Sequence, residues 1–125
     1  MKRLLLAAVL LVGACTADSG AGVHGGTLTL SLASGGTTDG ALVLIVSGGP
    51  VTSVDAPAGY QIASNVDGQG THIMVIGSVA AGPIATINVP DLSRASAYIA
   101  TVVQVSDRGS FALLDAARYR VTVGP

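Results

Sequence analysis

Apolar and polar residues alternate in two segments of the chain, residues 27–32 and 119–123. The leucines of the first segment and the apolar side chains of the second occupy every second position. A period of two residues places these side chains on one face of a β-strand and the polar ones on the other. Both segments are therefore predicted to be strands with one buried and one solvent-facing side.

A continuous apolar run at residues 41–46 has the length of a strand and no polar position. Such a run is typical of a strand in the middle of a sheet. Leu42, Leu44 and Val46 are expected to face the sheet interior, with Val43 and Ile45 covered from the other side. Short, weaker runs predict strands at residues 51–54 and 59–62. Runs of β-branched residues predict strands at residues 71–76 and 84–89, and the longest strand is predicted at residues 98–105.

Turn-forming residues separate these runs, with clusters of Gly, Asn, Asp, Ser and Pro at residues 34–40, 65–70, 80–83 and 107–109. Residues 90–94 are compatible with one helical turn. Residues 111–117 fit either a strand with a loop or a short helix capped by Ser110. About eight short strands without a convincing helical period predict an all-β fold, an antiparallel β-sandwich over residues 27–125.

Residues 1–14 have the parts of a secretory signal peptide. Lys2 and Arg3 precede an apolar run at residues 4–12, and two small residues follow it where a peptidase can cut. The apolar run is about half of the ~20 residues that a membrane-spanning helix needs. A permanent transmembrane anchor is therefore the weaker interpretation.

The order Val12-Gly13-Ala14-Cys15 resembles the lipobox of bacterial lipoproteins, in which an aliphatic residue and two small residues precede a cysteine. The resemblance implies that Cys15 carries a diacylglycerol group, begins the mature chain and is acylated, for example with palmitate, on its amine. Stable anchoring in a membrane needs two or more such chains. Thr16 stands where resembling inner-membrane proteins of enteric bacteria carry Asp, which favours the outer membrane. An ordinary secreted protein with a coincidental cysteine is the alternative.

Residues 15–26 lack any periodicity and are predicted to be a flexible tether between the lipid and the domain. Within them, residues 20–25 match the GxGxxG spacing of dinucleotide-binding turns. That spacing binds a pyrophosphate only between a strand and a helix. Because neither is predicted beside these glycines, we assign them to the tether.

The composition of the 125-residue chain limits its functions: half of the residues are apolar, and 10% are charged. Without the signal peptide the length is that of one ordinary domain. Four arginines then stand against seven aspartates, with no lysine. This mildly acidic balance lacks the basic footprint of nucleic-acid binding, which we exclude as a function. A lone cysteine also predicts a fold without disulfides.

The order of elements resembles that of cohesin-like modules. Residues 40–47 are similar to the strand before the first variable loop of that family, residues 73–89 to its central strand-turn-strand unit, and residues 98–123 to its closing strands. The resemblance is one of pattern over residues 27–123. Immunoglobulin-like modules fit nearly as well, and both imply a β-sandwich.

Candidate catalytic residues are few. His24 lies in the predicted tether, and His72 lies on an otherwise apolar predicted strand. The chain has no GxSxG motif and no glutamate, so the usual serine-hydrolase and glycosidase patterns are missing. Aspartates 39, 67 and 107 lie in or beside glycine-rich turns, where aspartate caps its own backbone. A small extracytoplasmic hydrolase that uses His72 with a nearby aspartate is the alternative function.

No cofactor and no zinc site is expected, and a calcium site assembled from several loops stays open. A zinc site needs three or four Cys and His ligands, and the single cysteine is assigned to the lipid. Residues 65–69 are similar to the start of a calcium loop, but Ile76 occupies the twelfth position, where a bidentate glutamate is needed.

Three residues are candidates for binding a partner. Tyr60, in a glycine-rich segment, is suited to stacking on a sugar ring if it is exposed. Arg118 and Arg120 alternate with the apolar positions of the last predicted strand. Either they bind a carboxylate or another anion together, or their charges protect an exposed sheet edge from pairing with another chain. The expected function is a non-catalytic module of the bacterial cell envelope that binds a protein or glycan partner.

Overall fold

The computed structural model describes residues 23–33 and 39–125, which form two packed antiparallel sheets. A four-stranded sheet has the order β3-β6-β1-β9, and a five-stranded sheet has the order β4-β5-β2-β7-β8. The strands are β1 (Gly26–Leu32), β2 (Asp39–Ser47), β3 (Ser53–Asp55), β4 (Gln61–Asp67), β5 (Gly70–Ile76), β6 (Gly82–Val89), β7 (Ile99–Asp107), β8 (Leu113–Leu114) and β9 (Val121–Gly124). The predicted all-β sandwich is confirmed.

The continuous apolar run forms β2, which is the central strand of the five-stranded sheet. Leu42, Leu44 and Val46 are fully buried between the two sheets, as predicted. Val43 and Ile45 point to the other side of the sheet and are half-buried among side chains of the neighbouring strands. An uninterrupted apolar run lets this strand be flanked on both sides without a polar group entering the core.

The opposite wall of the core comes from β1 and β6. The three leucines of β1, which alternate with Thr and Ser, are buried, and Ile84 and Ile87 of β6 face the same interior. The buried core also includes Ile73, Val75, Val79, Ala85, Val89, Tyr98, Val102, Val105 and Val121. The core therefore consists of aliphatic side chains from both sheets, closed at one end by Tyr98.

Several predicted boundaries were wrong. The predicted turns 80–83 and 107–109 overlap β6 and β7, and the predicted strand 119–123 begins only at Val121. Residues 65–67 were assigned to a turn, but β4 continues through Asp67 because each of its residues pairs with β5. The turn is reduced to Gly68 and Gln69. Residues 34–38 of the predicted turn 34–40 lie outside the described residues, whereas Asp39 and Gly40 belong to β2.

Short 3-10 helices occupy two connections. Leu92–Ala97 begins after Asp91, whose Oδ1 accepts a hydrogen bond from the backbone N–H of Ser93 at 3.0 Å. Ala116–Arg118 begins after Asp115, whose Oδ1 accepts from the N–H of Ala117 at 3.1 Å. Of the two alternatives for residues 111–117, the strand with a loop is the one observed, because residues 113–114 form β8. The short helix that follows is capped by Asp115 and not by Ser110.

Candidate functional site

The solvent-facing side of the five-stranded sheet carries most of the exposed apolar side chains of the described residues. Met74 and Ile76 of β5 are each 40% exposed. Further exposed members are Ile99, Val103 and Leu113, and Ala41, Val43 and Ile45 of β2 lie half-buried between them. We call this surface the apolar outer face.

Strand register arranges this face in three rows that cross the sheet. The rows are Gln61, Ile76, Ala41, Ser106 and Leu113; Ala63, Met74, Val43 and Gln104; and Asn65, His72, Ile45 and Thr101. No residue of the three rows carries a permanent charge, and His72 is their single titratable side chain. The face is therefore almost neutral, with mainly apolar side chains on the central strands β5 and β2 and mainly polar ones on the flanking strands β4 and β7.

A β-bulge enlarges the face at its centre. The register of β2 against β7 shifts between Val43 and Leu44, which leaves Val103 without a cross-strand partner. Val103 is 46% exposed, and Gln104 beside it is exposed as well. A bulge places one more side chain on a strand than its neighbour has, and bulges are enriched near functional surfaces.

The outer side of the four-stranded sheet has the opposite composition. Its residues are Thr27, Thr29, Ser31, Ser53, Asp55, Thr86, Asn88 and Thr122, together with Pro83. Their side chains bond one another: the Thr27 hydroxyl donates to Asn88 Oδ1 at 2.9 Å, and Asn88 Nδ2 donates to Ser53 Oγ at 2.6 Å. The outer side of the four-stranded sheet is therefore polar throughout, whereas the outer side of the five-stranded sheet is apolar at its centre.

An open pocket of about 410 Å³ lies at one end of the apolar outer face. Ala41, Ile76 and Phe111 give it apolar walls, and Arg108 stands at its rim with its guanidinium donating to Ser78 Oγ. Its volume falls in the range of small-ligand pockets. The pocket extends the apolar surface beyond the edge of the strands.

Phe111 is the most exposed aromatic residue of this surface, at 80%. Its φ of 59° is left-handed, which is unfavourable for a bulky side chain. The loop is held by Asp107, whose Oδ2 accepts from the N–H of Gly109 at 3.1 Å and of Ser110 at 2.8 Å. The Phe111 N–H donates to the Asp107 carbonyl at 2.9 Å. The hydrogen bonds of this loop therefore hold an aromatic ring exposed to solvent, although the backbone conformation at Phe111 is unfavourable.

The opposite corner of the face holds His72 and Asp67. His72 Nε2 lies 2.7 Å from Asp67 Oδ2, although the contact lacks the alignment of a regular hydrogen bond. Asp67 Oδ1 accepts from the backbone N–H of Gln69 at 2.7 Å. This hydrogen bond is the largest influence that holds the pKa of Asp67 below its ordinary value, and the nearby His72 acts in the same direction.

The chemistry available at this corner is that of an acid-base pair, and the one serine among the described residues that line it points away from His72. Ser64 lines the same depression of about 170 Å³ as His72. It pairs with buried Ile73, whereas His72 pairs with Asn65, so the two side chains point to opposite sides of the sheet. In residues 23–33 and 39–125, no group of three His, Cys, Asp or Glu side chains is placed to hold a metal ion.

Tyr60 lies beside the core. It is half-buried, it packs against the core cluster, and its hydroxyl donates to the Ser78 carbonyl at 3.2 Å and accepts from the Ala80 N–H at 3.3 Å. Its ring braces the connection between β5 and β6. This position leaves little of the ring free for the stacking role suggested for it.

Arg118 and Arg120 do not alternate on one strand. Arg118 ends the 3-10 helix Ala116–Arg118, with its side chain 84% exposed and its Nε 3.8 Å from Asp115 Oδ2. Arg120 is exposed and immediately precedes β9, and its carbonyl accepts from the Ala33 N–H at 2.8 Å. The expectation that both belong to the last strand was wrong, because the cap at Asp115 turns the chain into a helix first. The position of Arg120 beside edge strand β9 fits the guarding role.

Cys15 and the segment before it lie outside the described residues. Among the residues that are described, no helix is long and apolar enough to cross a membrane.

The residues that sequence reasoning missed are Met74, Ile76, Leu113 and Phe111. A signal for the first two was present, because residues 73–76 are apolar without interruption and therefore do not alternate. Their placement on one surface with β2 follows from strand order, which periodicity does not contain.

The chain matches no protein-family model, and neither the curated proteins nor the solved structures include a significant match to it.

Proposed function

We propose that this chain is a non-catalytic interaction module, held at the bacterial cell envelope by lipid on Cys15, that binds a partner protein through the apolar outer face. The observation that carries the proposal is the contrast between the two sheets. Both face solvent in the part of the chain that the structure describes. The outer side of the four-stranded sheet consists almost entirely of hydroxyl, amide and carboxylate groups, whereas the central strands β5 and β2 of the other sheet present Met, Ile, Val and Ala, with polar side chains mostly on the flanking strands β4 and β7.

Physical chemistry favours a partner on the second surface. Large contiguous apolar patches are rare on soluble domains and mark interaction sites, whereas single exposed apolar residues are ordinary. The face lacks permanent charge in its three rows, which is typical of the centre of a protein interface. Phe111 supplies an exposed aromatic ring at its rim. A protein partner fits this surface better than a glycan, which is bound through polar groups as well as stacked rings.

The envelope location is supported by the leader of residues 1–14 and by the lipobox resemblance at Cys15. In this proposal residues 15–26 connect the lipid to β1, which starts at Gly26. The domain then belongs with sandwiches of the cohesin-like or immunoglobulin-like kind, which present sheet faces and loops to partners.

We expect Met74→Asp to weaken partner binding by at least about tenfold, because it places a charge at the centre of a desolvated interface. The full chain is crosslinked in intact cells, and the proteins recovered with it are compared between variants. Thr29→Asp is the matched control, since Thr29 is central on the polar side of the other sheet. Equal recovery with both variants, both being folded, would contradict the proposed face.

We also expect the chain from cells to partition into detergent and Cys15→Ser to remain in the aqueous phase, because the lipid depends on this thiol. Incorporation of labelled palmitate into the wild type and not into the variant is the second measurement. Recovery of the wild type as a soluble, unlabelled chain would rule out the anchor.

The contact between His72 and Asp67 supports a second candidate function, a small extracytoplasmic hydrolase. An imidazole held by a carboxylate is a suitable general base. Hydrolysis of an activated ester by the purified protein distinguishes the two candidates. A rate above that of the buffer alone, which is lost in His72→Ala, favours the hydrolase. Equal rates for the wild type and His72→Ala would rule out the hydrolase.

A further inference from the structure

Strand β4 is the longest edge strand among the described residues. It has seven residues, whereas the other three edges, β3, β8 and β9, have three, two and four. It pairs with β5 without a register shift, and it contains no Pro and no Lys. Proteins usually protect long edges with such residues or with bulges, because an open edge recruits another strand.

The hairpin geometry shows which backbone groups of β4 are open. Asp67 and Gly70 close a two-residue turn, and in such a turn the closing pair exchanges hydrogen bonds between its own strands. Because the direction of the backbone groups alternates, Ile62, Ser64 and Val66 direct their N–H and C=O groups away from β5. These three residues form a regular row of donors and acceptors at the edge.

Val66 adds an exposed apolar side chain to this edge. It pairs with Thr71, which is 4% exposed, so its side chain points to the core side of the sheet. Val66 itself is 67% exposed, since the four-stranded sheet does not extend over it. It lines an open depression of about 330 Å³ next to Pro50 and Val51.

The sequence of β4, QIASNVD, has a self-complementary pattern around its central serine. We propose that two copies of this chain pair edge to edge through β4, antiparallel about a two-fold axis at Ser64. Ser64 then opposes Ser64 of the second copy, and Ile62 opposes Val66. All of these are residues whose backbone groups face outward, so each of three residue pairs exchanges two hydrogen bonds.

The remaining pairs are also compatible. Ala63 opposes Asn65, and Gln61 opposes Asp67, so that the amide of Gln61 can donate to the carboxylate at the opposite end. In this register no charged residue lies opposite the same residue of the second copy. The Ile62–Val66 pairs cover the exposed valine on the core side. The two five-stranded sheets join into one, and two copies of the apolar outer face lie side by side for a partner with repeated sites.

We expect the purified full chain carrying Cys15→Ser to form a concentration-dependent dimer in analytical ultracentrifugation. Ser64→Lys is expected to raise the dimer dissociation constant at least about tenfold, because like charges then face each other on the axis. Thr122→Lys, on edge strand β9, is the control and is expected to leave the constant unchanged. Circular dichroism confirms that both variants are folded.

Crosslinking tests the register. In the Cys15→Ser background, Ser64→Cys is expected to form an intermolecular disulfide, since paired residues lie within the Cα separation that a disulfide spans. Thr122→Cys is expected to stay reduced at the same concentration. A monomer at all concentrations, or a dimer that Ser64→Lys leaves intact, would overturn the proposal. If β4 instead pairs with a strand of a different protein, the purified chain stays monomeric and a complex with a cellular protein is recovered from cells. That result would also overturn the proposal. The self-association measurements do not depend on the partner of the apolar outer face.

Discussion

Leu44→Ala is expected to lower the free energy of unfolding by about 2–5 kcal/mol, the usual effect of removing a buried leucine side chain. Leu44 is fully buried at the centre of the central strand, in register with Ile73 of β5 and Val102 of β7. Both sheets pack rigidly around it, so the cavity cannot close completely. Urea denaturation followed by circular dichroism measures the loss.

Val43→Asp is the matched comparison, one residue away on the same strand. Val43 lies on the apolar outer face between Met74 and Gln104, where a carboxylate can reach water. We expect the domain to remain folded with a cost of about 1 kcal/mol, the range of strand propensities. If both variants unfold, the outer face is internal and the proposed binding surface is wrong. A tolerant Leu44 with an intolerant Val43 would mean that the register differs by one residue.

Gly48→Ala is expected to destabilise the domain by about 3 kcal/mol or more, because two effects combine. Gly48 follows β2 with a φ of 106°, a conformation that side chains rarely adopt. A Cβ built there would also overlap the carbonyl oxygen of Ala97, at the end of a 3-10 helix. Tyr98 follows, with its hydroxyl donating to the Pro50 carbonyl at 2.7 Å. The clash would therefore separate the β2–β3 connection from the element that closes the core.

Gly59→Ala separates the two effects. Gly59 has a φ of 91°, but a Cβ there would meet no atom within 4 Å. We expect a loss of about 1–2 kcal/mol from backbone strain alone. Thermal unfolding of the two variants side by side measures the difference. Equal losses would show that the contact with Ala97 relaxes at no cost and that only the backbone conformation matters.

The two proposals use different parts of the same sheet. The binding proposal depends on apolar side chains of β2, β5, β7 and β8, at the centre and far end of the face, whereas the dimer depends on outward backbone groups of β4, the strand that also forms one margin of the face. Met74→Asp is expected to weaken partner binding and leave the dimer dissociation constant unchanged. Ser64→Lys is expected to raise that constant and leave partner binding unchanged. Each proposal can therefore fail alone.

The strands with clear periodicity were predictable from sequence. Residues 27–32 alternate and became β1, and the continuous run 41–46 became a central strand, because burial on one or two faces leaves a direct trace in the polarity pattern. Where two local preferences compete, the prediction failed. Residues 65–67 contain turn-forming residues, yet pairing with β5 draws them into β4. The same competition made Arg118 part of a 3-10 helix, where alternation had suggested a strand.

The candidate site was predictable only in part. The sequence indicated two apolar sides for β2 and named His72 as a polar position on an apolar strand. It suggested an aspartate near His72 but did not identify Asp67 as the residue that lies 2.7 Å away, since the two residues meet across a hairpin whose register depends on a turn of two residues. Tyr60 was named for exposure and lies half-buried, because the connection after β5 folds over it.

By itself, the sequence determined the all-β class, the central position of β2 and the inward-facing leucines, because these follow from local polarity and strand period. Only the tertiary structure decided that Met74, Ile76, Val103 and Leu113 share one surface, that the other sheet is polar outside, and that β4 is an open edge. Those features depend on strand order and on which sheet each strand joins. The free energy that selects an order comes from contacts between segments far apart in the chain, and a local pattern does not record them.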